Sequence, residues 1–257
     1  IYPIGEKNIH EKLIKSSLDI KIRRMPYKVK DWEIPIKTRF INKSHMRKLF
    51  ETNELYENIW EKNNESKFCQ KFKLKLKNFD IIFLADFGHG FFKNKIIKLF
   101  ESTNVFKALN VQTNSSNLGY NYFTKYKKYD YLSIDEREFN LGLGIKNIDT
   151  SKLIQYAIKE KKINTNLSIT SGNKGSRYLD KKLHIHFSPI FFKDVVDTVG
   201  AGDAYFCITA LLSKLQYPGI LIPFLGNCFA GLKTRILANK KAVSKSSLIK
   251  TINAILG

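Results

Sequence analysis

Near residue 200 the chain reads Asp197-Thr198-Val199-Gly200-Ala201-Gly202-Asp203-Ala204-Tyr205. Gly200 and Gly202 leave the backbone bare where an apolar helix, Ala204 to Leu215, begins. The unpaired N–H groups of such a helix start can face an anion. Asp203 falls in that first turn, where a carboxylate is placed to take a proton from a bound hydroxyl. The plainer alternative is a Gly-rich turn with Asp203 as a capping carboxylate. A second acidic pair, Asp135-x-x-Glu138, opens a helix directly after a strand. It reads either as charge complementing the helix N-terminus, worth up to about 1 kcal/mol, or as a carboxylate pair that organises magnesium and phosphate through water. Thr170-Ser171-Gly172-Asn173-Lys174-Gly175 is a strand-to-turn element with two glycines three apart, of the kind that leads into a hairpin.

These residues need elements to hold them. A β-branched and aromatic run, Phe187 to Val196, predicts a strand feeding the glycine turn, and Pro218-Gly219 stops the helix that follows. From Asp80 a βα rhythm sets in. Strands are predicted at 81–85, 108–112, 131–134 and 167–170, with helices at 93–101, after Asp135 and at 151–162. Such alternation predicts a mostly parallel sheet with helices on both faces. Polar clusters then fall at successive strand ends: Asp86 with His89, Asn114 with Asn117, Asp135 with Glu138, Thr170 with Gly172, and finally Asp203. Ligands of open α/β sheets collect beyond those carboxyl ends.

The front of the chain follows another pattern. Ile1 to Gly5 ends a strand-like piece and Asn8 to Ser16 suggests a short helix. Leu18 to Arg23 and Ile34 to Ile41 are strand-like, Ser44 to Lys62 suggests a helix, and the charged stretch to Lys77 mixes loop with helix. No Gly-, Ser- or Pro-rich linker divides the chain and no internal repeat is visible.

Composition narrows the classes. A chain of 257 residues with 43% hydrophobic side chains has enough material for one sizeable α/β core and argues against disorder. It opens on Ile1 rather than Met, as a fragment or processed piece would. The net charge of +21 admits nucleic acid or an anionic membrane as a partner. The basic residues are spread along the whole chain without a nucleic-acid-binding motif, which favours a compositional bias suited to anionic substrates, with no nucleic-acid and no membrane partner. Three cysteines show neither CxxC nor metal spacing, which fits a reduced, cytoplasmic protein. The longest apolar run, 219–232, is too short and interrupted to span a bilayer. A Walker A loop, the protein-kinase motifs and a dinucleotide-binding GxGxxG are all absent.

Asp197-Thr198-Val199-Gly200-Ala201-Gly202-Asp203-Ala204-Tyr205 resembles the C-terminal signature of the ribokinase-like sugar kinases, the PfkB carbohydrate kinase family. The resemblance implies a ribokinase-like α/β fold over residues 1–257, mostly parallel, with a small β lid within about 18–41 that would also offer a homodimer surface. It implies ATP and Mg2+ as cofactors and a sugar or sugar phosphate as acceptor. Gly200, Ala201 and Gly202 would form an anion hole, and Asp203 would be the catalytic base. Thr170, Gly172 and Gly175 match the family's Thr-x-Gly-x-x-Gly nucleotide loop, and Asn227 falls where similar kinases pack a residue beside the adenine. Glu138 matches the Glu of the family's Asn-x-x-Glu magnesium motif, with Asp135 in place of its Asn, acting through water. Lys37 and Arg39 lie on a strand like those that close over a phosphorylated sugar. Asp86-Phe87-Gly88-His89-Gly90 is similar to an Asp-Tyr-x-Lys-Gly element of phosphosugar kinases, with His89 in place of the lysine. Lys37-Thr38-Arg39-Phe40 and Leu109-Asn110-Val111-Gln112-Thr113-Asn114 bring the resemblance closest to heptose-phosphate kinase domains, with Asn114 as a substrate contact. The family's first strand, with its substrate-binding Asp, and its Gly-Gly element are not found before Ile1-Tyr2-Pro3, so the domain reads as incomplete at its front. A nucleoside kinase of the same fold, a non-catalytic nucleotide-binding remnant and a basic nucleic-acid-binding protein remain the alternatives.

Overall fold

A computed structural model describes the chain except for residues 8–9, 43–46, 57–58, 61–63, 114–116, 147, 162 and 239. It divides into two compact units, Ile1–Lys75 with Gly88–Phe100, and Leu76–Phe87 with Glu101–Gly257.

In the first unit β1 (Tyr2–Gly5) pairs in parallel with β2 (Pro26–Val29), with α1 (Glu11–Ser17) between them. An antiparallel hairpin follows, β3 (Ile36–Asn42) and β4 (Arg47–Glu54), with its register slipping at Phe40/Ile41. Then come α2 (Asn64–Leu76) and α3 (Asn94–Glu101). The core is aromatic. Phe68 meets Tyr27, Trp60 and Phe91 at ring separations of 5.2, 5.4 and 5.3 Å. The buried indole of Trp60 donates to the Phe91 carbonyl at 2.7 Å, and that of Trp32 to the Tyr56 carbonyl at 2.7 Å, as buried N–H groups require.

Two expectations fail here. The helix expected over Ser44 to Lys62 is β4 across Arg47–Glu54, because its partner lies across the hairpin: Glu51 takes ion pairs from both Lys37 and Arg39, and Phe50 stacks on Phe40 at 4.2 Å. Residues 44–46, 57–58 and 61–62 of that stretch lie outside the described residues. The strand expected over Leu18 to Arg23 is a series of turns and bends that pairs with no strand among the described residues, and Ile20 is 98% exposed. The antiparallel hairpin thus runs on to Glu54, past the Ile41 at which the expected strand ended.

The second unit is built on a six-stranded sheet, β5 (Ile81–Asp86), β6 (Phe106–Val111), β7 (Tyr131–Asp135), β8 (Asn166–Thr170), β9 (Ser176–Leu179) and β10 (Ile185–Ser188), in the spatial order β10-β9-β8-β7-β6-β5. β5 to β8 are parallel, and β9 and β10 are antiparallel. α4 (Glu136–Leu143), α5 (Thr150–Lys161), α6 (Ala201–Lys214), α7 (Leu221–Thr234) and α8 (Lys245–Leu256) complete it. Tyr131 and Tyr178 bury on the face that receives Phe206 and Ala210 of α6 and Ile222 of α7. Leu132, Ile134, Leu167 and Ile169 alternate to the other face, also buried, on the strands that α4 contacts. The mostly parallel sheet with helices on both faces is thus as the alternation predicted. The strand expected over Phe187 to Val196 stops at Ser188, since Pro189 has no N–H to continue the ladder.

Candidate active site

All the parallel strands of the second unit release the chain at one sheet edge, and a cleft of about 460 Å3 opens there. Its lining includes Asp135, Glu138, Thr170, Gly172, Gly175, Gly200, Ala201, Gly202, Asp203 and Asn227, so those expected residues meet in one place.

The glycine turn has the form of an anion site. Gly200 caps α6 at φ 78°, a left-handed conformation that a side chain would strain. The Ala201 N–H is consumed by the Thr198 carbonyl at 3.1 Å, and the Ala204 N–H by the Gly200 carbonyl at 3.0 Å. Between them, the N–H groups of Gly202 and Asp203 find no acceptor among the described residues. A Cβ built on Gly202 would meet nothing within 4 Å, so the backbone there faces open space. Of the expected triplet Gly200-Ala201-Gly202, the Ala201 N–H alone is shown spent within the turn.

Two charged groups staple this turn from behind. The Asp197 carboxylate accepts from the N–H of Val199 at 3.0 Å and from that of Ala238 at 2.7 Å. The Lys233 ammonium, 7% exposed, donates to the carbonyls of the same two residues, Val199 at 2.9 Å and Ala238 at 2.5 Å. Neither role was read from the sequence. The signal was a charged side chain in the last turn of a helix with no other charge.

Asp203 projects from the first turn of α6, and its Oδ1 accepts from Gln112 Nε2 at 2.9 Å. Asp135 and Glu138 form a capping box on α4. Asp135 accepts from the Arg137 N–H at 2.9 Å, while Glu138 accepts from the Asp135 N–H at 3.3 Å and the Thr113 N–H at 2.7 Å. Burial nevertheless pushes Glu138 up to about 7, against these hydrogen bonds, and raises Asp135 in the same direction. Among the described residues no three carboxylate, imidazole or thiolate groups converge as a metal cage. A donor set of two half-engaged carboxylates fits a magnesium ion held mainly by phosphate oxygens and water.

Thr170 ends β8. The loop beyond it closes with Ser171 N–H on the Gly175 carbonyl at 2.9 Å and Gly175 N–H on the Gly172 carbonyl at 3.2 Å. Gly172 (φ 54°) faces open space. Ile190, Phe191, Phe192 and Val195 make an apolar wall of the cleft, with the Phe192 ring seated on bare Gly231 of α7. The segment expected to be a strand is thus a wall of the cleft.

Several expected residues are already held by neighbours. The Asn227 amide is fully used: Oδ1 accepts from Ser176 Oγ at 3.1 Å, and Nδ2 donates to the carbonyls of Ser188 and Pro189, both at 2.9 Å. It clamps the wall in place. Asp86 is 2% exposed and holds Lys125 at 2.5 Å and the Tyr126 hydroxyl at 2.8 Å, a buried carboxylate paired with a partly exposed lysine. Lys37 and Arg39, in the first unit, both pair with Glu51 at 3.4 and 2.9 Å. His89 also belongs to the first unit. Asn114 lies outside the described residues.

A mostly parallel sheet carrying a glycine turn, a helix-start aspartate and a carboxylate pair at one edge defines a ribokinase-like kinase. The sequence pattern of the pfkB family of carbohydrate kinases matches residues 4–215, and the chain belongs to that family. Members of that family are carbohydrate kinases. The bifunctional protein HldE of Campylobacter curvus is 32% identical over 144 residues, which cover 55% of this chain and 30% of that relative. Phosphofructokinase-2 of Escherichia coli, in complex with potassium, superposes at a TM-score of 0.77 with 12% identity, over 98% of this chain and 80% of that one. Ribokinase of Arabidopsis thaliana, complexed with ribose and ATP, superposes at 0.67 with 17% identity, over 98% and 81%. No helix among the described residues is long and apolar enough to cross a membrane.

Proposed function

We propose that residues 1–257 act as one ATP-dependent kinase domain that phosphorylates a hydroxyl of a sugar phosphate of the heptose type, with Asp203 as the base. One observation carries the catalytic reading: the Asp203 carboxylate and two unengaged N–H groups, of Gly202 and Asp203, share a turn on a cleft whose other rim holds Glu138. Asp203 takes the proton of the acceptor hydroxyl through the carboxylate oxygen that Gln112 leaves free. The Gly202 and Asp203 N–H groups receive negative charge on the phosphoryl oxygens, where fixed dipoles need no reorganisation. Glu138 and Asp135 would hold magnesium through water, and the ion would supply positive charge to the phosphates. ATP, when bound, supplies the phosphoryl group. The apolar wall of Ile190, Phe191 and Phe192 suits a nucleobase, and the Thr170–Gly175 loop, bare at Gly172, suits phosphate or ribose. The likeness to HldE, with the runs 37–40 and 109–114, supports a heptose phosphate, and the surplus of 21 positive charges suits an anionic acceptor.

The test pairs a substrate panel with one variant. Wild-type protein, ATP and Mg2+ are assayed on D-ribose, D-fructose 6-phosphate, a D-manno-heptose 7-phosphate and adenosine. The heptose phosphate should be the best acceptor, and a preference for adenosine would move the assignment to nucleosides. Asp203→Asn should lose turnover by at least 1,000-fold while retaining ATP binding, and near-wild-type turnover in that variant would remove Asp203 from the mechanism.

A further inference from the structure

Two amide side chains on the cleft, Asn110 and Gln112, link Asp203 to the sheet. Their hydrogen bonds form one directed chain. Asn110 is 6% exposed on β6, and its Nδ2 donates to the Ser133 carbonyl of β7 at 2.9 Å. That contact decides which way the amide faces, so Oδ1 is turned toward Gln112, whose Nε2 donates to it at 3.0 Å. The Gln112 amide is fixed in turn, and its second N–H reaches Asp203 Oδ1 at 2.9 Å. The opposite flip would set carbonyl oxygen against two acceptors and is excluded. Asp203 otherwise stands on the exposed first turn of a helix, free to rotate about its side-chain torsions. Gln112 is its single hydrogen-bond partner among the described residues.

We propose that Gln112, oriented by Asn110, is the positioning residue of this kinase, holding Oδ1 of Asp203 so that the other oxygen meets the acceptor hydroxyl. The proposal rests on Asp203 being the base. The chain runs from a sheet carbonyl through two amides to the helix start, so the base is referenced to the stiffest part of the fold. A displacement of about 1 Å at such a group can cost on the order of 100-fold in rate. Because Gln112 acts through Asp203, its removal should reduce kcat and leave nucleotide affinity alone.

Gln112→Met keeps length and volume and removes both donors. Gln112→Glu sets a like charge against Asp203, and Asn110→Leu releases the Gln112 amide while leaving its contact with Asp203 available. With ATP and the best acceptor of the panel, Gln112→Met should lower kcat at least tenfold with the KM for ATP within twofold. Gln112→Glu should lose more, and Asn110→Leu less. Thermal unfolding of Gln112→Met should stay within a few degrees of wild type. In an Asp203→Asn background, Gln112→Met should change the residual rate by less than twofold, since the group it serves is gone. A kcat for Gln112→Met within twofold of wild type, with Asp203→Asn inactive, overturns this proposal alone. A full tenfold further loss in the Asp203→Asn background overturns it as well, because the amide would then act independently of the base. Near-wild-type turnover in Asp203→Asn itself removes the base and the positioning role together.

Discussion

Both oxygens of the Glu138 carboxylate accept backbone N–H groups, yet loss of water outweighs them and holds the group near pH 7 instead of its ordinary 4.5. The folded state therefore keeps a proton that the unfolded chain has already released. That contribution to stability is fully present below about pH 4.5 and disappears as pH rises through 7. For a partly solvated carboxyl it amounts to at most about 2 kcal/mol. In metal-free protein, the melting temperature of wild type should fall between pH 5 and pH 8 more steeply than that of Glu138→Gln, which cannot ionise. Mg2+ with a nucleotide should flatten the wild-type slope by favouring the charged form. Parallel slopes for the two proteins would mean that Glu138 is an ordinary exposed carboxylate. At this scale the sequence identified which residues are polar at strand ends, and Asp135, Glu138 and Asp203 do converge. It gave no sign that Asp86 is already neutralised, because Lys125 stands 39 residues along the chain. Nor did it show that the Asn227 amide is spent on Ser188 and Pro189.

The turn around Gly202 and the turn around Gly175 are alike in sequence but not in surroundings. Gly202 lies inside the first turn of α6, and a methyl group there would meet nothing within 4 Å of the protein. Gly202→Ala should therefore leave the melting temperature unchanged or raise it slightly, alanine being worth up to about 1 kcal/mol over glycine in a helix. The methyl group would occupy the space that the free N–H groups face, and ATP-dependent turnover should fall at least tenfold. Gly175 sits at φ 90°, and a Cβ there would collide with the Ser188 carbonyl. Gly175→Ala should instead lower the melting temperature, by the equivalent of about 1–3 kcal/mol, and reduce activity only as the β8–β9 turn is disturbed. Thermal melts and turnover on the same two preparations separate the cases. A destabilised Gly202→Ala would show that the turn has hidden neighbours. The local signals that made both turns legible are backbone signals, and those survive without tertiary knowledge. What local pattern could not supply is pairing. β4 carries Leu49 and Phe50, apolar positions of the helix expected over Ser44 to Lys62, and it forms a strand against β3, which offers Lys37, Arg39 and Phe40 across the hairpin. The run from Ile190 to Val195 has strand composition, but Pro189 removes it from the ladder and its apolar side chains become a wall of the cleft.

Across the whole molecule, 44 basic residues against 23 acidic ones create a field that no single contact expresses. The βα alternation that predicted the sheet is indifferent to this surplus, and the basic residues are spread along the sequence rather than gathered in a motif. Their effect on the proposed reaction should be long-ranged: anions are drawn toward the protein, and salt weakens the attraction over about 10 Å at 0.1 M ionic strength. An acceptor that carries its own phosphate should feel this field, and a neutral sugar should not. Raising KCl from 50 to 300 mM should increase the KM for a heptose phosphate or fructose 6-phosphate several-fold, with kcat changed by less than twofold. The KM for ribose, measured at the same ATP and Mg2+, should stay nearly constant. Because ATP is anionic as well, each series has to be run at saturating nucleotide, so that only the acceptor's encounter is limiting. Equal salt dependence for charged and neutral acceptors would show that the surplus charge lies too far from the cleft to guide the acceptor.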